Sequence, residues 1–225
     1  MKKLRYVIMI MAVFLVMIAS VATADTISSG DFVKLIGYNP DLNGGIMTYQ
    51  VSHNGTDSTI FSTINTFCIQ DNVYVWEYQW YPVLSLSNVV GPNGPIQPGH
   101  GPLNGAVDYL FYKYASGAYT SLFTGANANA NEAAFQNLLW NLQGSETITY
   151  SPTGSQWDKD LTAYDTTAAL NTKSWGTEVI NIVSSFPGGT DIQNQLYNPD
   201  PVPEPSTLLL LGFGVSALVF ARRRK

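Results

Sequence analysis

Asn131-Glu132-Ala133-Ala134-Phe135-Gln136-Asn137-Leu138-Leu139-Trp140-Asn141-Leu142-Gln143 is the stretch that decides the fold class. Phe135, Leu138, Leu139 and Leu142 recur at three- and four-residue steps, the apolar stripe of an α-helix. Asn129 or Asn131 can cap its start, and Gly144 can end it. The chain before about residue 90 has a different period. Phe32 to Tyr38 and Ile46 to His53 read as strands separated by the turn cluster Asn39 to Gly45. Asn54-Gly55 offers a hairpin turn into a third strand, Ser58 to Ile69. Asn72 to Trp80 alternates with period two, placing Tyr74, Trp76, Tyr78 and Trp80 on one face, and Pro82 closes it. A loop rich in proline and glycine follows, Gly91 to Gly101. A first helix then fits Leu103 to Ala115, stopped by Gly117, with a small-residue linker from Gly125 to Asn131. Asp160 to Leu170 and Thr177 to Phe186 are further helix candidates, Gln193 to Tyr197 a last strand, and Asn198 to Val202 a linker. Strands first and helices after predict an α+β domain, with an antiparallel β-rich N-terminal part followed by a helical part.

Charged residues make up 12% of the 225-residue chain, too few for a disordered solvating chain or a coiled coil. The formal net charge of −5 is unevenly spread. Seven of the 11 basic residues lie at the two ends. Between Asp25 and Val202 only Lys34, Lys113, Lys159 and Lys173 face 15 of the 16 acids, a balance of −11. Phosphate recognition needs a basic face, so a nucleic acid is excluded as partner. A bare anionic membrane surface is disfavoured for the same reason. One cysteine excludes an internal disulfide framework and a multi-cysteine metal site.

The ends read as addresses. Lys2, Lys3 and Arg5 precede an apolar run from Tyr6 to Ile18, and Ala22-Thr23-Ala24 is a cleavage site of the A-x-A type. Residues 1–24 are therefore expected to be a signal peptide, with Asp25 the mature start. At the other end, Pro203-Glu204-Pro205 is followed by the uncharged apolar run Ser206 to Ala221 and then by Arg222-Arg223-Arg224-Lys225. Sixteen helical residues rise about 24 Å, against a hydrocarbon core of about 30 Å, so residues 206–221 form a short transmembrane helix. The basic stop keeps its end cytoplasmic. This three-part tail, residues 202–225, resembles the PEP-CTERM sorting signal of Gram-negative bacteria. The resemblance implies export, anchoring in the inner membrane, processing by an exosortase near Pro203 to Pro205, and display at the cell surface or in the extracellular matrix, often beside exopolysaccharide.

Between the addresses, residues 25–201 suffice for one core. Cys68 ends a predicted strand, in Asn65-Thr66-Phe67-Cys68-Ile69. Three roles are open to it: a small buried hydrophobe, an intermolecular disulfide, or a covalent bond within the chain. The order of Phe67-Cys68-Ile69, the tyrosine-rich helix Tyr109 to Tyr114, and Ala133 to Trp140 resembles the Cys-Gln thioester-forming domain of bacterial surface proteins. In that family the glutamine stands four residues before a tryptophan, in a Thr-Gln-x-Ala-Ile-Trp motif. Carried over, the thiol is Cys68, the acyl donor Gln136 and the shielding tryptophan Trp140. Phe135 stands where the family has threonine, and Leu138 where it has alanine. The resemblance implies that Cys68 attacks the Gln136 carboxamide and expels ammonia, leaving a masked electrophile for an amine on a partner.

The aromatic stripe has two readings, a core face or an exposed platform on which Trp76 and Trp80 stack against sugars. The scarcity of large exposed aromatic patches favours the core face. His53 and His100 lack further ligands at metal spacing, Asp158-x-Asp160 is too sparse for a calcium loop, and Glu132 with Glu146 lacks an active-site motif. No phosphate-binding glycine loop or nucleophile elbow is present. The sequence thus predicts an exported surface protein, not an enzyme, without metal or other cofactor. Its expected work is adhesion or matrix interaction, through a Cys68–Gln136 thioester that captures surface amines, or through non-covalent binding of extracellular polysaccharide. Its expected partners are the secretion machinery, exosortase and the inner membrane before processing.

Overall fold

Alternation of apolar and polar side chains along the first third of the chain builds three strands of a sheet that later strands complete; the inner face of that sheet is buried, and the helices cover part of its outer face. The computed structural model describes residues 26–39, 42, 44–70, 75–91, 101–145, 148–185 and 192–199. The expected signal peptide and the expected sorting tail with its membrane helix at 206–221 lie outside them. Among the described residues no helix is long and apolar enough to cross a membrane.

The strands are β1 (Phe32–Gly37), β2 (Met47–Ser52), β3 (Ile60–Thr66), β4 (Trp80–Ser87), β5 (Val89–Val90), β6 (Gly101–Pro102), β7 (Glu178–Ile182) and β8 (Gln195–Tyr197). The helices are α1 (Gly105–Ala115), α2 (Ala128–Leu142), α3 (Gln156–Thr166) and the single turn α4 (Ala168–Asn171). Six strands form one antiparallel sheet in the order β3-β2-β1-β4-β7-β8, and β5 pairs with β6. The two edges of the six-stranded sheet then meet. Beyond β3 the chain runs beside β8, where the Leu196 amide donates to the Phe67 carbonyl at 3.0 Å and the Ile69 amide to the Asn194 carbonyl at 3.0 Å. Cys68 and Gln195 are bridge partners there. The sheet is closed on itself along this seam, which satisfies edge groups that would otherwise be open to other chains.

Closure divides the core in two. Val33, Leu35, Tyr49, Val51, Tyr81, Val83, Ile180, Ile182 and Cys68 fill the inside of the sheet. Phe67, Ile69, Val179 and Leu196, on the other face, meet Val107, Leu110 and Phe111 of α1, Phe135, Leu138 and Leu139 of α2, and Trp157 of α3. Trp140 of α2 belongs to the inner cluster. One helix therefore contributes to both.

The expected α+β architecture is present, with four corrections. Trp80, expected to end a strand, begins β4, and Val75 to Gln79 is a loop with a turn at Glu77–Tyr78. Pro82 lies inside β4 instead of closing a strand. The proline removes one amide donor but leaves its carbonyl, which accepts from the Val183 amide at 3.2 Å. Thr177 to Phe186, expected as a helix, contains β7, buried on both faces between β4 and β8. Finally, α2 starts at Ala128, within the expected linker; Asn127 is its N-cap residue and makes no side-chain cap bond.

Candidate functional site

Cys68 arrives at its place because the strand alternation continues past β3: Phe67 and Ile69 turn to the helices, and Cys68 turns inward. Its side chain is free of any disulfide and fully buried. Gln136 and Trp140, one turn apart on α2, point toward it, since residues four apart share a helix face. The Cys68 thiol donates to Gln136 Oε1 at 3.4 Å, and Gln136 Nε2 donates to the Cys68 carbonyl oxygen at 2.7 Å. The carboxamide is thus clamped against the cysteine that bears the sulfur. Gln136 is 0% exposed and Trp140 2%. Tyr49 lies near Cys68, and burial, reinforced by the cysteine and Tyr81, pushes its phenol well above the ordinary value of 10.0.

The cover over this pair comes from the loop before β2. Gly44 has φ +97° and lies directly on the pair's helix: a Cβ there would fall 2.5 Å from Gln136 Cγ and 2.8 Å from the outer ring of Trp140. Gly45, with φ +110°, points its amide at Gln136 Oε1 at 3.5 Å. Glu132, one turn before Gln136, accepts from the Ile46 amide at 3.4 Å and ties the loop to α2. Burial raises the Glu132 carboxyl above its usual range, partly offset by that amide. In sequence, Asn39 to Gly45 reads only as a turn; the consecutive glycines at 44 and 45 are the signal that backbone comes close to another element here.

Three more buried glutamines surround the seam, but their amides go elsewhere. Gln70 accepts from the Asn194 amide at 2.9 Å, Gln193 donates to the Gln70 carbonyl at 3.2 Å, and Gln195 donates to the Gln193 carbonyl at 3.0 Å. Gln136 is the one that meets the sulfur. Three buried polar atoms lack partners among the described residues: Trp140 Nε1, Asn194 Nδ2 and Gln195 Oε1. Each such group costs about 1–3 kcal/mol.

The expected aromatic core face is not formed. Tyr74 lies outside the described residues. Trp76 and Tyr78 are 74% and 70% exposed, because the segment is a turn and not a strand. Trp80, paired with Lys34 across β1 and β4, carries the Lys34 ammonium over its ring at 4.7 Å, and Lys34 is itself ion-paired with Asp57. One face of the Trp80 ring is therefore taken by Lys34. Among the weaker candidates, His53 is bonded to Asp31 at 2.9 Å and stacked on Phe61. Asp158 closes the capping box of α3, and Asp160 accepts from the Tyr119 hydroxyl at 2.8 Å. His100 and Glu146 lie outside the described residues. No group of three metal-ligating side chains occurs among the described residues.

The tail is where comparison with known proteins is informative. Residues 201–225 match the PEP-CTERM protein-sorting motif. Such a motif marks an exported, membrane-anchored precursor that exosortase then processes, so Pro203, Glu204, Pro205 and Arg222 to Arg224 lie within a sorting signal. No curated protein and no solved structure matches the chain. The family match is confined to the tail, and the comparisons do not support the expected resemblance of residues 61–140 to a thioester-forming domain.

Proposed function

We propose that this exosortase-sorted protein acts at the bacterial cell surface by covalent capture, through a thioester between Cys68 and Gln136. One observation carries the reading: a fully buried thiol lies 3.4 Å from the side-chain oxygen of a fully buried glutamine whose amide nitrogen is held by the cysteine's own carbonyl. The sulfur attacks Gln136 Cδ, the C–N bond breaks, and the thiol proton leaves with the nitrogen as ammonia. Negative charge develops on Oε1, which the Gly45 amide faces. An amide resists such attack in water, so fixed proximity supplies much of the barrier reduction, up to about 7–11 kcal/mol for well-oriented groups. Trp140 and the Gly44–Gly45 backbone exclude the water that would hydrolyse the product.

A primary amine on a surface partner then takes the acyl group from sulfur, forming an amide and freeing the Cys68 thiol. Capture consumes the bond, so the chain is an adhesin or matrix component and not a turnover enzyme, and the reaction requires no cofactor. Its place of action is the cell surface or extracellular matrix of a Gram-negative bacterium, after release from the inner membrane.

The test is the intact mass of the unreduced full-length protein at mild pH. The wild type is expected about 17 Da light, one ammonia, and Cys68→Ala and Gln136→Ala at full mass. Methylamine should add to Gln136 and free one thiol. A full-mass wild type that takes up no methylamine would sink the thioester.

A further inference from the structure

Tyr38, Trp76 and Tyr78 are the large apolar side chains exposed among the described residues, and all three sit at one end of the β1–β4 pair. The turn that carries two of them is anchored firmly. The Tyr78 amide donates to the Leu35 carbonyl at 2.9 Å, and the Trp76 amide to the hydroxyl of buried Tyr81 at 3.2 Å. Tyr78 has φ +60°, the one positive value at a non-glycine among the described residues. A β-branched or aromatic residue gains nothing from that conformation, which glycine or asparagine adopts readily. Nor is the strain offset by packing of the ring, which is 70% exposed. Strained backbone held in place by its surroundings is a mark of functional sites.

We propose that Tyr38, Trp76 and Tyr78 form a stacking platform for a neutral polysaccharide. Ring faces suit the C–H faces of pyranose rings, and the side chains between and beside them, Glu77 and Gln79, are exposed and polar. They supply acceptors and a donor for sugar hydroxyls, unlike the continuous apolar centre of a protein–protein contact. Charge selects the class of sugar. The segment from Asp25 to Val202 has four lysines against 15 acids, and Glu77 stands between the rings, so an acidic polysaccharide is repelled. Lys34, the nearest lysine on β1, is held by Asp57 and Trp80. The two amide bonds fix the backbone that carries Trp76 and Tyr78, which lowers the ordering cost of binding.

This site is independent of the Cys68–Gln136 reaction. It is tested by affinity electrophoresis of the full-length protein in a polyoxyethylene detergent, in gels containing barley β-glucan, galactomannan, dextran or alginate. At least one neutral polymer should retard the wild type, and alginate should not. Trp76→Ala should weaken retardation about tenfold. Tyr78→Gly removes the ring and the strain together, so it should lose binding about tenfold while melting no lower than the wild type. That pairing separates a ligand-contact role from a structural one. No retardation by any neutral polymer, equal retardation by alginate, or a Tyr78→Gly variant that binds as the wild type does would each overturn the proposal. A concentration-dependent dimer in light scattering, abolished by Trp76→Ala, would assign the rings to a second copy and overturn it too. The mass of the same samples reports the thioester separately.

Discussion

Cys68 and Gln136 are 68 positions apart and meet because two periodicities agree: period two past β3 turns Cys68 inward, and the four-residue helical step carries Gln136 and Trp140 to the same side. The shared side of Gln136 and Trp140 was legible in the helical spacing; that Cys68 would be their partner was expected only from the resemblance to thioester-forming domains, because no spacing brings two elements 68 positions apart together. The cover was not legible, because a glycine pair in a polar turn reads alike whether it faces solvent or another element. Gly44 is where this distinction can be measured. Gly44→Ala places a Cβ 2.5 Å from Gln136 Cγ on a backbone at φ +97°. Overpacking and the unfavourable backbone together should cost about 2–4 kcal/mol. Gly30→Ala is the control, since Gly30 has φ +94° and nothing within 4 Å of its Cβ position. It carries the backbone cost without the collision. Urea unfolding should therefore show Gly44→Ala as the less stable by about 1–3 kcal/mol. Release of the Cys68 thiol by hydrolysis of the thioester, followed with a thiol reagent, should be faster for Gly44→Ala and not for Gly30→Ala. Equal behaviour of the two would mean that the loop does not cover the pair.

At the scale of elements, β7 and α3 show what local sequence encodes and what it leaves to context. Glu178-Val179-Ile180-Asn181-Ile182 is rich in β-branched residues, a strand signal. A strand buried on both faces has no alternation to display, and a short apolar run of that kind resembles a buried helix. Its partner β8 is the next strand in the chain, but β4, on its other side, comes from Trp80–Ser87, which no local window of sequence reveals. The helix α3 is the opposite case, because its start is encoded within four residues. The Ser155 and Asp158 side chains each reach back to the other's backbone, and Asp158 also accepts from the Tyr150 and Thr153 hydroxyls at 2.5 and 3.1 Å. Burial would raise its carboxyl, but these bonds outweigh it and hold the value below 3.8. A carboxyl lowered in the folded state stabilises above its unfolded value and loses that contribution as pH falls through the folded one. Asp158→Ala should thus cost about 1 kcal/mol near neutral pH, and the difference from wild type should shrink as pH drops below 3.8. Thermal unfolding followed from pH 7 to about 3 measures it; a difference independent of pH would remove the carboxylate from the account.

Over the whole molecule, closure of the sheet is what places the cysteine out of water. β8 has only three residues and would be a weak edge strand in an open sheet. Its bonds to the segment after β3 make it internal: Leu196 to Phe67, Ile69 to Asn194, and the Thr66 hydroxyl to the Leu196 carbonyl. Native-state hydrogen exchange distinguishes the two situations. In an open sheet the Leu196 and Ile69 amides exchange by local fraying, far faster than Val83 at the centre, whose amide donates to the Asp31 carbonyl at 2.7 Å. In the closed sheet all three are released only when the sheet as a whole opens, so their exchange free energies should agree within about 1 kcal/mol. In a Gln136→Ala variant, which cannot form the thioester, the Cys68 thiol, 0% exposed in the native chain and opposite Gln195 on that seam, should become accessible to a thiol reagent at the same rate as those amides. A thiol in a Gln136→Ala variant that reacts much faster than Leu196 exchanges would show that water reaches the sulfur without unzipping the seam. The Gly44–Gly45 loop would then be the route, and the covering backbone, not the sheet, would set how long a thioester survives.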